Sequence, residues 1–281
     1  MELPGGLLRD GRLRRDYLFK TVTGEIERAL AESGLNTRTL PEQVTRVLSC
    51  TLSEVAGFAV DEALCRSLSA GDRQFLVLQL EALIDASPRW ITAVCAGCGE
   101  QLQFQIVPGS LPMKPAGEGY PEREISLSIG EVSLRVPNGS DEEFVSTLDS
   151  GSRFPLSELL FRLLRSQEQP VEVDRLNDAD LEALDQVLDD MSPQAGVAAS
   201  IECPHCNLQQ EAAIDPYAWI VRETASLDLD IHNLAFHYHW SEKDILQLPR
   251  ARRERYLQLI DRSLGKYRAD DLVQGLQGGA W

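Results

Sequence analysis

Two short stretches far apart in the chain, Cys95-Ala-Gly-Cys98 and Cys203-Pro-His-Cys206, limit what it can fold into. Each is a C-x-x-C turn with Gly or Pro and polar neighbours, so the two sulfurs of a pair can face the same way. Each follows a strand-like run, Trp90-Ile-Thr-Ala-Val94 or Val197-Ala-Ala-Ser-Ile-Glu202, and precedes another short alternating segment. The two pairs read as knuckles sharing one tetrahedral zinc, with Cys95, Cys98, Cys203 and Cys206 as ligands.

Other uses of these cysteines fit less well. A redox C-x-x-C sits at a helix start after a buried strand, whereas the strand-like Gln101-Leu-Gln-Phe-Gln-Ile-Val107 follows the first pair. Disulfides suit an exported chain, and no charged n-region with an apolar h-region opens this one. Cys50 and Cys65 stand alone inside helical patterns, as reduced buried thiols do. His205 can replace a sulfur, but four cysteines already fill the shell, leaving it an outer role at best.

Four thiolates close the shell and quench Lewis acidity, whereas a catalytic zinc keeps a position open for water. The expected metal is therefore structural. It would tie residues near 95 to residues near 205, closing a loop of roughly a hundred residues worth on the order of several kcal/mol in closure entropy.

Charge bears on the partner. The 281 residues carry 27 Lys and Arg against 44 Asp and Glu, a formal charge of −17, which opposes non-specific attraction to phosphate backbones. A zinc ribbon that binds nucleic acid is the alternative reading, and Glu100, Glu202 and Glu211 stand beside the knuckles where it would want basic residues. No run approaches the ~20 apolar residues of a membrane span, so a soluble protein is expected.

The chain begins with alternating halves on either side of Asp10-Gly11, a hairpin signal, and gathers Arg9, Arg12, Arg14, Arg15 and Lys20 there, as a solvated outer face or a docking arm would. Helical patterns follow from Gly24 to Ser33, Leu40 to Leu52, Asp61 to Leu68 and Ser69 to Ile84. The last is apolar over more than half its circumference and should be central to the core. Pro108 to Pro121 holds four Pro and three Gly and reads as a linker or exposed loop. Glu124 to Val136 alternates around Gly130-Glu131 as a two-stranded hairpin, and helical patterns follow near Glu142 to Leu148, Leu156 to Ser166 and Asn177 to Met191. The carboxylates of the last, Asp178, Asp180, Glu182, Asp185, Asp189 and Asp190, spread around an outer face rather than converge on a metal.

The sequence holds no EF-hand loop, Walker A loop, G-x-G-x-x-G, H-E-x-x-H or G-x-S-x-G. His232, His237 and His239 are the remaining catalytic candidates; residues at i and i+2 of a helix diverge, so His237 and His239 would not chelate one ion together. Past the second knuckle, Leu208 to Ile214 reads as a strand. Helices follow, one opened by Asp215-Pro216 with a break allowed at Ser226 to Ile231, one capped by Ser241 and one started by Pro249. In the last, Tyr256, Leu257 and Ile260 line one face, with Arg250, Arg252, Arg253 and Arg255 mainly outside it.

The segment from Tyr238-His-Trp-Ser-Glu-Lys-Asp to Arg255-Tyr-Leu257 resembles the C-terminal signature of baseplate proteins of contractile phage tails and related extracellular contractile injection systems. So does Leu68-Ser-Ala-Gly-Asp-Arg-Gln-Phe-Leu-Val-Leu-Gln-Leu80 together with Cys95-Ala-Gly-Cys-Gly-Glu-Gln-Leu102. The chain is similar to T-even-type baseplate hub assembly proteins outside the segment between the knuckles. The resemblance implies a non-enzymatic component of the baseplate or its hub assembly, cytoplasmic during assembly or resident in the particle. Its partners would be other baseplate, hub, spike or tape-measure proteins, contacted through arginine-rich edges and through anchors such as Tyr238 and Trp240.

The expected fold is α+β, mostly helical, with a split four-cysteine zinc ribbon and small antiparallel hairpins. Residues 1–107 would hold the N-terminal hairpin, helices and first knuckle, residues 108–196 an α+β insertion, and residues 197–281 the second knuckle and C-terminal helices.

Overall fold

The structure, a computed structural model, describes residues 1–148, 155–166, 171–196, 198–220 and 225–265. It mixes helices with small antiparallel sheets in two compact units, one of Met1–Lys20 with Ser33–Val221, the other of Thr21–Glu32 with Arg222–Trp281. The segments 1–107, 108–196 and 197–281 therefore group differently in space: the first two and the second knuckle share one unit, and Thr21–Glu32 joins the C-terminal helices.

In the larger unit, β1 (Glu2–Arg9) and β2 (Arg12–Phe19) pair around Asp10 and Gly11, whose φ angles of 50° and 70° are those that Asp-Gly adopts readily. Helix α1 (Gly24–Glu32) belongs to the smaller unit. Thr39 caps α2 (Leu40–Thr51). The chain then forms β3 (Leu52–Val55) and β4 (Phe58–Ala59), strands that the helical spacing on either side conceals, and β3 extends the N-terminal sheet beside β2. Asp61 caps α3 (Glu62–Ser67) and Ser69 caps α4 (Ala70–Ile84). Helix α4 buries Phe75, Leu76, Val77, Leu78, Leu80 and Ile84, and is central as its composition predicts.

Three charged residues of α4, Asp72, Arg73 and Glu81, are buried as well. The Asp72 carboxylate accepts the N–H groups of Gly5 and Gly6 at 2.7 and 3.0 Å and the Ser69 hydroxyl at 2.8 Å, and burial pushes its pKa up. These glycines interrupt the β1–β2 ladder, so Asp72 supplies the acceptors that the sheet does not. Arg73 donates to Glu142, Thr45 and the carbonyls of Cys65 and Pro41.

Beyond α4, β5 (Arg89–Val94) pairs with β6 (Gln101–Ile106). The stretch from Pro108 to Pro121 is not a free linker. Pro108 is buried, β7 (Met113–Lys114) enters a sheet, and the Tyr120 hydroxyl donates to the Gly6 carbonyl at 2.7 Å. Its Pro and Gly residues shape a path that is held by distant partners.

Strands β8 (Glu122–Leu127) and β9 (Gly130–Arg135) turn at Ser128-Ile129, two residues before the turn expected at Gly130-Glu131. Asn138 and Asp141 form a capping box on α5 (Gly139–Thr147). Helix α6 (Pro155–Leu163) runs into β10 (Leu164–Arg165), which pairs with β9. Helix α7 (Asp178–Met191) carries a second capping box, Asn177 with Asp180. Asp180 is not on the outer face with the other acids; it is buried and accepts from the Ser128 and Asn177 N–H groups at 2.8 and 3.1 Å. The Ser128 hydroxyl, which also donates to this carboxylate, and then these two N–H groups hold its pKa down. Leu127, Val132, Leu134, Leu160, Leu163, Leu184 and Met191 make a core for this region. Strand β11 (Gln194–Ala195) pairs with β7, and the Gly117 N–H donates to the Met191 carbonyl at 3.1 Å. The insertion thus enters and leaves through one narrow gate. Finally, β12 (Ala198–Glu202) pairs with β13 (Gln209–Ala213).

In the smaller unit, α1 packs with α8 (Ala225–Tyr238), α9 (Glu242–Leu246) and α10 (Arg250–Ser263). The alternating Ser226 to Ile231 lies within α8 and makes no break. Leu234, Ile245 and Ile260 form the core. Tyr238 and Trp240 are half-buried, their rings stacked at 4.9 Å and both meeting Tyr256, at 5.6 and 4.9 Å. One expectation is corrected here. Arg253 is not outside but fully buried, donating to Glu27 at 2.7 Å and the Leu248 carbonyl at 2.9 Å. The tail from Gly275 to Trp281 lies outside the described residues.

Candidate metal centre

The two C-x-x-C turns sit at the tips of two matched hairpins. Cys95 to Glu100 joins β5 to β6 and Cys203 to Leu208 joins β12 to β13, each closed by the same pair of backbone hydrogen bonds. Cys95 N–H donates to Glu100 and Gly99 N–H to the Cys95 carbonyl; Cys203 N–H donates to Leu208 and Asn207 N–H to the Cys203 carbonyl. The residue after each second cysteine is left-handed, Gly99 at φ 76° and Asn207 at φ 58°, which is why Gly and Asn stand there.

The tips face each other. Sulfur Sγ of Cys95 lies 3.6 Å from that of Cys206, and Sγ of Cys98 lies 3.6 Å from that of Cys203. All four sulfurs fall within 4.8 Å of one another, with Cys95 and Cys203 buried and Cys98 and Cys206 exposed. The sequence picks out this quartet, and the structure brings it together. Leu102 packs against the buried sulfurs, with Ile201 beside it.

The thiols differ in how readily they ionise. Backbone N–H donation, from Cys98 above all and also from Gly97, holds the Cys95 thiol down at about 6. Cys98 also receives an N–H, from Glu100, yet burial and the neighbouring sulfurs push it up to about 12, and Cys206 is raised as well. The Cys95 sulfur thus takes a charge readily while Cys98 and Cys206 resist one beside it, a repulsion that a bound cation would relieve.

His205 lies on the exposed face of the second tip. Glu100, Glu202 and Glu211 are exposed, and Glu202 accepts from Gln209 at 2.7 Å. The remaining histidines belong to the smaller unit. His232 and His237 lie on α8, where Phe236 contacts both rings, and His239 follows the helix with φ 56°. His239 thus lies off the helix, and the divergence of i and i+2 positions on a helix does not describe this pair. The two lone thiols stay free: Cys65 is buried and pushed up to about 12 by desolvation, and Cys50 is raised by the same cause.

Sequence reasoning missed Gln210. Its amide accepts the Ala96 N–H at 2.8 Å and donates to the Val94 carbonyl at 3.1 Å, crossing from one hairpin to the other. Nothing in Gln209-Gln210 marks it, because its partners lie more than a hundred residues away. Comparison with known protein families, curated proteins and solved structures finds no match to this chain. No described helix is long and apolar enough to cross a membrane.

Proposed function

We propose that this chain is a non-enzymatic structural or assembly component that works through protein contacts and is stabilised by a zinc ion held by Cys95, Cys98, Cys203 and Cys206. The observation that carries the reading is the closed quartet. Four sulfurs around a tetrahedral zinc with bonds of about 2.3 Å stand about 3.8 Å apart, close to the 3.6 Å of the two nearest pairs here. A shell of four thiolates leaves no position for water or substrate, so the zinc would supply cross-linking and not Lewis acidity.

The finer reading is a component of the baseplate or hub of a contractile tail or injection system. It rests on the segment Tyr238–Leu257, on Leu68–Leu80 and on the first knuckle. Beyond the sequence, a charge of −17 and exposed acids beside the knuckles favour protein over nucleic acid as partner.

Two measurements test it. Metal analysis of the purified chain is expected to give one zinc per molecule, and its absence ends the structural-zinc reading. Capture from the native host with mass spectrometry is expected to recover tube, spike or tape-measure proteins; nucleic acid alone would establish the ribbon as a nucleic-acid binder.

A further inference from the structure

The two hairpins superpose by position: Cys95 matches Cys203, Cys98 matches Cys206 and Gly99 matches Asn207. By the same count Leu102 matches Gln210. Yet Leu102 packs on the buried sulfurs, whereas Gln210 sends a polar amide across to the other hairpin. At this pair the two halves of the module differ in chemistry as well as in size.

We propose that Gln210 is a positioning residue of the metal centre, holding Cys95 in place before metal arrives. Its two hydrogen bonds grip the residues on either side of that cysteine, Val94 through its carbonyl and Ala96 through its N–H. Only one orientation of the amide satisfies both, oxygen toward Ala96 and nitrogen toward Val94. Cys95 is also the ligand whose sulfur lies 3.6 Å from Cys206 across the module. Besides the sulfurs, Gln210 is what registers the first tip against the second by directed bonds. Two flexible tips held apart would have to be ordered by the metal itself, at a cost in affinity; a tip already gripped does not carry that cost. Outer partners that orient ligands in this way typically change metal affinity about 10- to 100-fold.

This inference rests on the metal-centre reading, and the test separates the two. The full-length protein and its Gln210→Met variant, which keeps the length of the side chain and loses both hydrogen bonds, are titrated with Co2+. The thiolate-to-cobalt absorption is followed, and Zn2+ is then competed in. Gln209→Met is the control, because the Gln209 amide bonds Glu202 within its own hairpin, whereas the bonds of Gln210 cross to the other hairpin. Gln210→Met is expected to bind about 10- to 100-fold more weakly with the four-sulfur spectrum intact at saturation, and Gln209→Met within twofold of the parent. Gln210→Leu, which copies Leu102, should repeat the loss, and circular dichroism of the metal-free proteins checks that the helices are unchanged. Equal affinity of Gln210→Met and parent overturns the inference and leaves the metal centre standing. Equal weakening by both glutamine variants also overturns it, since that effect belongs to hairpin stability. A parent protein that binds no cobalt removes the metal centre and this inference with it.

Discussion

Nε of Arg73 lies 2.7 Å from Oε2 of Glu142, and the arginine side chain is completely buried. Tyr217 donates its hydroxyl to the same carboxylate at 2.9 Å, and burial pushes the tyrosine pKa well up. Residues from α4, from the start of α5 and from the turn after β13 thus meet around one guanidinium. A buried charge whose partner is removed has nothing to replace it. Arg73→Leu is therefore expected to lower stability by about 3–5 kcal/mol in urea denaturation, because Glu142 is left uncompensated. A loss below about 1 kcal/mol would mean that the network is not maintained in solution.

Asp141 gives the acid limb a direction. Burial works to raise its pKa, but Arg135 at 2.6 and 2.9 Å, the Asn138 N–H and Arg162 outweigh it and hold the carboxyl below its usual value. A depressed folded pKa means that the unfolded chain binds the proton first as pH falls. The contribution is complete above the unfolded value of about 3.9 and is lost as pH drops through the folded value beneath it. Parent minus Asp141→Asn stability should thus be constant near neutrality and shrink below about pH 4. A difference that grows with acid would refute the assignment.

Gly71 reverses a helix rule. Exchange of Gly for Ala inside a helix usually stabilises by up to about 1 kcal/mol. Here a Cβ would stand 1.9 Å from the Pro193 carbonyl oxygen, which is backbone and has little room to yield. Gly71→Ala is expected to destabilise by about 1–3 kcal/mol as α4 is forced from β11. A raised melting temperature would show that the close approach is absent.

Chelation should act locally. The loop of roughly a hundred residues that a metal at the four cysteines would close is already pinched by β7 with β11 and by Gly117 with Met191, so little of its closure entropy is left for a metal to remove. Hydrogen exchange after metal removal should speed up at the amides of Cys95, Ala96 and Cys203. The Gly117 amide and the β8–β9 ladder should stay protected. Equal deprotection of all of these would show that the metal holds the insertion as well.

What was legible in the sequence had a local cause. Asp10-Gly11 and the helix starts at Ser69 and Asn177 announce themselves because turn and cap geometry is settled within a few residues. The quartet was legible through spacing and residue chemistry together. Strands β3 and β4 were not, because apolar Leu52 and Val55, three apart, satisfy a helical period as well as a short strand. Nor was the burial of Arg73, Arg253 and Asp180, since charge predicts exposure until a partner is in view. For Arg73 and Arg253 those partners lie 69 and 226 residues away. Pro108 to Pro121 misled for the same reason: breakers exclude regular structure but say nothing of what holds an irregular path.

The grip of Asp72 on Gly5 and Gly6 sets an order of events. Synthesis delivers β1 and β2 well before α4, and their Asp-Gly turn can close at once. The two glycine amides, however, have no acceptor until a carboxylate 67 positions further along has emerged and its helix has formed. The Gly6 carbonyl waits longer still, for Tyr120. The strand that leaves the ribosome early is therefore seated late, and until then its Leu3 and Leu7 are apolar surface that a chaperone could hold.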